Sequence, residues 1–551
     1  MKRSTYIWSL LVGCVAFATS CDLTENVQVK ADKSMIFGSK SGLELYSNSF
    51  YKALPTLKNG FMQDKMCDVG AVSNTDTFIK RGAYNTETAT SWSWGALKNV
   101  NYFIDGCNDP KYCTVEAETR DNYLGIARWF RAWFYYDKLT TYGEVPWFPN
   151  DIQSYQNDVM YKDRDSRDVI IRNLIADLDF AYEHIQATSS TGSATLTRWA
   201  AAALKSRVCL FEAAYRRYHN LTGLEITPEE LYREAAKAAK LVIDNSGCSL
   251  NTATGKKGAY RDLFYNETPL TQEVILAVCA NEKSGIFGEQ NWWFNARSYG
   301  LCWSLVRSFV HTYLKLDGTP FTDDADYAVK SFTEEMEGRD LRLEQTVRGR
   351  NFLWDGKTAV ADIKNLSLTG YQVIKYTLDE SKYDGGAKNI NSIPLIRYAE
   401  VLLNYAEAVF ERDGQISDED LAISLNLTRK RINPEMPDLT NDFVTANNLD
   451  MRTEIRRERT IEFFDENFRI DDLKRWKTAE DEMPMNLTGV KWKGTDFENR
   501  WPDASFKEKD GEGCIIHEKG RNWHEKHYLL PLPTDQLKLN SNLKQNPGWN
   551  Q

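Results

Sequence analysis

The chain has 551 residues, 42% of them hydrophobic, and its 78 acidic residues outnumber 68 basic ones for a net charge of −10. That balance, with no clustered basic stretch, speaks against a nucleic-acid groove, whose affinity comes from Lys and Arg on phosphates; acidity of this size mainly serves solubility. Length alone suggests several domains. No Pro/Gly/Ser-rich linker divides the chain, however, so residues 46–551 read as one mostly α body with inserted loops, short helices and a few short strands.

At the N-terminus, Lys2 and Arg3 precede an apolar run from Tyr6 to Phe17, followed by Ala18, Thr19, Ser20 and Cys21. A positive flank, a short apolar segment and small residues make residues 1–20 a secretory signal peptide; a bilayer span would take about 20 apolar residues. Ala-Thr-Ser-Cys resembles a bacterial lipobox, with Ala18 where Leu is commoner, and cleavage there leaves Cys21 acylated. Residues 21–45 then read as a lipidated cysteine and polar tether. Of the later cysteines none forms C-x-x-C. Cys209 reads as a small core residue. Cys107 and Cys113 bracket an Asn-Asp-Pro turn and could bridge in an oxidising compartment.

Helical spacing of Tyr123, Ala127, Phe130, Phe134 and Leu139 predicts a helix over Glu118–Tyr142. Ser166–Ile185 and Leu196–Tyr218 follow as a helical hairpin. Thr227-Pro-Glu-Glu opens another helix with a capping box and a first-turn proline, and Gly247 closes it. Residues 249–395 lack sustained periodicity and read as loops and short elements over the scaffold, with Leu301–Asp317 helical. In Asn391–Gly414 the polar residues Arg397, Glu400, Asn404, Glu407 and Glu411 share one narrow stripe, and nearly everything else from Pro394 to Phe410 is apolar. Such a helix must be covered on more than one side. Pro394 suits its first turn and Gly414 its left-handed stop, giving about 30 Å. Helices at about Ser417–Arg431 and Met451–Phe464 come next. The Arg/Glu pattern at 456–462 suits buried ion pairs. Pro531, Pro533 and Pro547 stiffen a closing extended stretch.

Five of these segments resemble, in order, the SusD/RagB group of outer-membrane nutrient-binding lipoproteins of Bacteroidetes. They are ARWFRAWFYYDKLTTYGEVP, WSLVRSFVHTYLKLDGTP, PLIRYAEVLLNYAEA, RRERTIEFFDENFRIDDLKRW and HYLLPLPTDQLKLNSNLKQNPGW. In the first, Ala127, Arg128, Arg131, Ala132, Tyr135, Leu139, Tyr142, Gly143, Val145 and Pro146 fit the family pattern. In the fourth, Glu458, Arg459, Glu462, Glu466, Arg469, Asp472, Leu473, Arg475 and Trp476 fit, while Thr460, Phe463 and Asp465 depart. The last departs mildly at Leu532, Gln536, Ser541 and Trp549. The resemblance implies a fold built on four tetratricopeptide-like helix pairs, although the strict 34-residue consensus of such repeats is absent. It also implies capture of a nutrient for a SusC-like TonB-dependent transporter, with the protein lipid-anchored in the outer membrane and facing the exterior.

Two polar, aromatic stretches have binding composition. Ser73–Trp94 carries Asp76, Arg81, Tyr84, Trp92 and Trp94; Gln290–Trp303 carries Trp292, Trp293, Asn295, Arg297 and Tyr299. Sugars present apolar C–H faces and a hydroxyl rim, so aromatic platforms beside Asn, Asp and Arg match them. The competing reading makes the tryptophans plugs that seat loops on the scaffold. In the family the glycan site is formed by loops near these two positions, but the resemblance carries over no individual residue there. A glycan is the expected ligand, with peptide capture of the RagB kind and glycan cleavage as alternatives. No nucleophile elbow or phosphate loop appears, and nothing selects a carboxylate pair for hydrolysis. His524-Glu-Lys-His527 is one residue short of the helical zinc motif, so no cofactor is expected, and His517, His524 and His527 read as a solvated cluster.

Overall fold

The structure is a computed structural model that describes residues 33–58, 60, 64, 67–73, 86–87, 89, 92–295, 302–358, 367–503 and 507–549. Cys21, Asp76, Arg81, Tyr84, Arg297 and Tyr299 lie outside these residues. The described chain is mostly helical. It opens on α1 (Lys33–Phe37) and α2 (Lys40–Ser47), where the sequence suggested the end of a tether. Phe37 and Leu43 explain the difference: both are fully buried, so these turns belong to the core.

The scaffold then runs through α3 (Gly95–Asn108), α4 (Ala117–Tyr142), α5 (Arg167–His184), α6 (Arg198–Tyr218) and α7 (Pro228–Asn245). Successive helices pack on one another, as in a helical-repeat array. Local chemistry sets their ends. The Thr227 side chain accepts from the Glu230 backbone and the Glu230 side chain from that of Thr227, closing a capping box in front of Pro228. Alanines at 200–203, 235, 236, 238 and 239 are nearly all inaccessible, which lets α6 and α7 approach closely.

The apolar helix of the sequence becomes two elements. Strand β6 (Ile393–Arg397) pairs antiparallel with β2 (Val274–Val278), and α9 (Tyr398–Asp413) starts only after it. Ile393 and Ile396 are buried in that strand, and the helix, 16 residues long, measures about 24 Å rather than 30. Gly414, at φ 70°, ends it. Helices α6 and α7 cover α9 on one side and α10 (Met451–Glu462) on another. The 417–431 segment splits into Asp418–Ala422 and Leu425–Lys430. The expected helix over 301–317 shrinks to Arg307–Thr312, and the closing stretch carries a short helix, Thr534–Leu539.

The polar stripe of α9 is an ion-pair spine inside the array. Glu400 takes two hydrogen bonds from Arg207 at 2.6 Å. Glu407 accepts from Arg475 and, at 2.7 Å, from the Trp476 indole; both donors lie on α11 (Arg469–Trp476). Arg397 bonds Glu466 at 2.6 Å, Glu273 at 2.8 Å and Glu462 at 2.9 Å. Arg342 bonds Asp340, Glu458 and Glu462, and Arg459 bonds Asp472. Burial alone would raise the Glu462 carboxyl, but Arg431, Arg397 and Arg342 hold it at about 2. Glu407 is likewise held at about 2 by Arg475 and Arg459 against its burial.

A second apolar core, around Tyr260, Phe264, Trp303, Phe309 and Tyr376, underlies the loop-rich part of the chain. All described sheets there and elsewhere are two-stranded and antiparallel. Cys107 and Cys113 are free thiols that interact with each other, and the other described cysteines are also free.

Candidate functional site

One small strand pair joins the described residues that precede the first polar stretch to those that follow the second. Strand β1 (Gly70–Ala71) lies just before residue 74, and β3 (Ser304–Leu305) just after residue 301. They pair antiparallel, Gly70 opposite Leu305 and Ala71 opposite Ser304. The approach needs glycine: a Cβ at Gly70 would sit 2.4 Å from the Trp303 indole nitrogen. The His517 ring, 3.1 Å from the Val72 carbonyl, holds the same strand, so this histidine has a backbone role.

Above that base sits α8 (Gln290–Asn295), which carries Trp292 and Trp293 on consecutive positions. Their rings meet edge to face at 4.7 Å. Both are partly exposed; among the described residues Trp293 leans on the second core with its buried indole N–H lacking a partner, whereas Trp292 has no such seat. Asn295 is buried and wired at both ends of its amide: its NH2 donates to Asp384 at 3.1 Å, and its oxygen accepts from Gln372 at 3.0 Å. Asn291 also donates to Asp384, and Asn389 donates to Asn291 at 2.7 Å. Burial pushes the Asp384 carboxyl up, only partly offset by the Asn295 and Asn291 amides.

The network continues beyond the two polar stretches. Gln372 accepts from Arg348 at 2.9 Å, and the Arg348 guanidinium lies 5.2 Å from the Phe352 ring and 5.6 Å from that of Trp354. Trp354 ends β4 (Leu353–Trp354) in a hairpin with β5 (Lys357–Thr358). Asp355 and Gly356, both at positive φ, make its two-residue turn. Asp-Gly between short apolar and polar runs is a hairpin signal that sequence inspection could have used.

Trp92 and Trp94 sit elsewhere. Trp92 packs on Tyr142 at 5.0 Å, and Trp94 packs on Phe134 and Phe148 at 5.5 and 5.3 Å, so both rings seat the start of α3 on the helical array. The His524 and His527 rings lie 5.4 Å apart, centre to centre. His527 is buried between Trp523 and Trp549, and its Nδ1 accepts from the His524 backbone at 3.0 Å. Among the described residues no group of three His, Cys, Asp or Glu side chains is placed to hold a metal ion. No helix among them is long and apolar enough to cross a membrane.

The architecture is a helical-repeat scaffold overlaid by loop-rich segments that carry aromatic and amide groups. The chain belongs to the SusD family, whose sequence profile matches residues 272–549, half of its length. The fold agrees. A SusD-like carbohydrate-binding protein from Bacteroides fragilis NCTC 9343 superposes with a TM-score of 0.74 at 21% identity, over 93% of this chain and 100% of that one. A second SusD-like protein from the same strain gives 0.71 at 22% identity, over 94% and 98%. A SusD homolog from Bacteroides thetaiotaomicron VPI-5482 gives 0.66 at 18% identity, over 95% and 100%. No curated protein matches the chain by sequence.

Proposed function

We propose that this protein is a cell-surface glycan-binding lipoprotein, anchored in the outer membrane through Cys21, that captures oligo- or polysaccharide and hands it to a SusC-like TonB-dependent transporter without catalysis. The observation that carries the glycan reading is the Trp292–Trp293 pair at the edge of α8, next to the Asn295–Asp384–Asn291 network. Indole faces take the C–H side of a sugar ring, and fixed amide and carboxylate groups take its hydroxyls. A scaffold that is already packed keeps the ordering penalty of binding low. The similar B. fragilis structure is described as a carbohydrate-binding protein, which supports the same ligand class here. Family membership and the signal-like N-terminus support the location and the transporter partner.

Native gels containing plant, fungal, host or bacterial polysaccharides test this directly. Retardation by one polymer, lost in a Trp292→Ala/Trp293→Ala double variant, is the expected result. Unchanged mobility in every gel would remove the glycan reading and move attention to peptides.

A further inference from the structure

A second cleft lies away from α8, between α4, β6 and the turn into α11. Its volume is about 520 Å³, within the range of small-ligand sites. Trp133 and Tyr136 of α4 and Phe468 of the turn form aromatic walls, Leu395 lies on β6, and Asp137 and Asp471 project carboxylates to it. Trp133 is held flat against Trp129, with ring centres 5.3 Å apart and planes inclined by 13°.

The charges here do not balance. Arg207 reaches the cleft, where its Nε and one Nη bond Glu400, that Nη also bonds the Leu395 carbonyl at 2.9 Å, and the guanidinium lies 4.8 Å from the Phe468 ring and 5.9 Å from that of Trp133. Glu466 is likewise satisfied, by Lys375 at 2.7 Å and Arg397 at 2.6 Å. Asp471 has no hydrogen-bond or ion-pair partner among the described residues, and Lys474 one turn along stays beyond ion-pair distance. Asp137 has only Lys138, at 3.6 Å, and is 67% exposed. Desolvation lifts the Asp471 carboxyl to about 6, against the pull of Lys474 and Arg207 and with Asp472 and Asp137 adding to it. A carboxylate left without a cation inside an aromatic-walled cleft is a recognised mark of a ligand site.

We infer that this cleft binds a protonated primary amine carried on a ring or alkyl stem, the ammonium group pairing with Asp471 and Asp137 and the stem lying on Trp133 and Phe468. The chemistry follows from the lining: aromatic faces attract cations and stack on C–H surfaces, and an ammonium group supplies the three donors that two carboxylates lack. An anion would meet two carboxylates, Asp137 and Asp471, in the same cleft. An amino sugar and a lysine side chain both offer this group. The site is separate from the Trp292 surface, and the inference does not depend on the glycan reading.

Titrating the purified protein with glucosamine, with lysine amide, and with glucose and N-acetylglucosamine as uncharged controls, and following tryptophan fluorescence, tests it. Saturable quenching by glucosamine or lysine amide but by neither control is expected, and which amine binds tighter distinguishes the two sources. Asp471→Asn should weaken that binding about tenfold, as removal of one charge-assisted contact does. The exposed Asp137→Asn gives a second variant whose folding is not in question. Both should leave polysaccharide retardation unchanged, so the two sites fail or stand independently. Equal response to glucose and glucosamine, no response to either amine, or wild-type affinity in both variants would overturn the inference.

Discussion

The helical array and the loop-rich face treat polar groups in opposite ways. In the array, charged side chains are buried deeply and mostly paired: Glu407 and Glu462 each meet more than one donor and are held near 2, although Arg431 Nε and both Asp465 carboxylate oxygens find no partner among the described residues. On the loop-rich face, Asp384 is served by amides alone and its carboxyl is pushed up, while the Trp293 indole N–H has no partner among the described residues. A buried ion pair gives little net stability over an apolar replacement, but removing one member leaves the other charge stranded. The spine therefore fixes which helices meet, whereas Asp384 is met by the Asn291 and Asn295 amides where the spine would place a guanidinium.

Breaking the spine should give the largest effect. Glu462→Ala removes the carboxylate shared by Arg397, Arg431 and Arg342, leaving them to crowd their remaining partners Glu273, Glu466, Asp340 and Glu458, and a loss of about 3 kcal/mol in chemical denaturation is expected. A loss below about 1 kcal/mol would mean the three guanidinium groups find other partners and the spine is not the organising feature. The Trp94 ring, seated between Phe134 and Phe148, belongs to the same side of the comparison. Trp94→Ala should lower stability by about 3 kcal/mol, with polysaccharide retardation retained; loss of retardation at unchanged stability would instead place Trp94 in the ligand site.

Acid should find the array before the face. Glu407 and Glu462 are depressed from 4.5 to about 2, so between those values the unfolded chain binds protons that the folded chain does not. Their contribution is complete above about pH 4.5 and is lost as the pH falls toward 2. His219 and His527, buried and lowered from 6.5 to about 4, act in the same direction, since folding keeps them neutral. The expected result is a thermal unfolding temperature that drops steeply below about pH 4.5, with a Glu407→Gln variant, less stable at neutral pH, showing a shallower drop. A parallel slope in wild type and variant would place the acid sensitivity elsewhere.

The same contrast explains what could be read from the sequence. The array was legible because helix periodicity, the Thr227 capping box and the alternating Arg/Glu pattern are local signals that packing then reinforces. The start of α9 was misjudged because Pro394 is as acceptable at the edge of a strand as in a first helical turn, and only pairing with Val274–Val278 decides between them. Phe37 and Leu43 were lost in a stretch whose average composition is polar. On the face, Trp292, Trp293 and Asn295 stood out by composition, but Asp384, Gln372 and Arg348 did not. These reach Asn295 from 53–89 residues away in the chain, joined by single side-chain bonds that leave no periodic trace. Trp92 and Trp94 show the reverse error of composition: a tryptophan in an irregular segment looks available until its neighbours are known.

The smallest expected change in stability is also the most informative about function. Trp292 is partly exposed and, unlike Trp293, is in neither core cluster among the described residues, so Trp292→Ala should shift stability by less than about 1 kcal/mol. Trp293→Ala should cost more, because that ring fills space against the second core. If stacking on a sugar is what holds the ligand, the order reverses for binding: Trp292→Ala abolishes or strongly reduces retardation while the fold is intact. Stability and binding would then separate along two adjacent residues of one short helix, one turned toward the core and one left for the ligand. Retardation that follows stability loss in both variants would mean instead that the pair only braces α8, and the ligand contacts lie with Asp384 and Trp354.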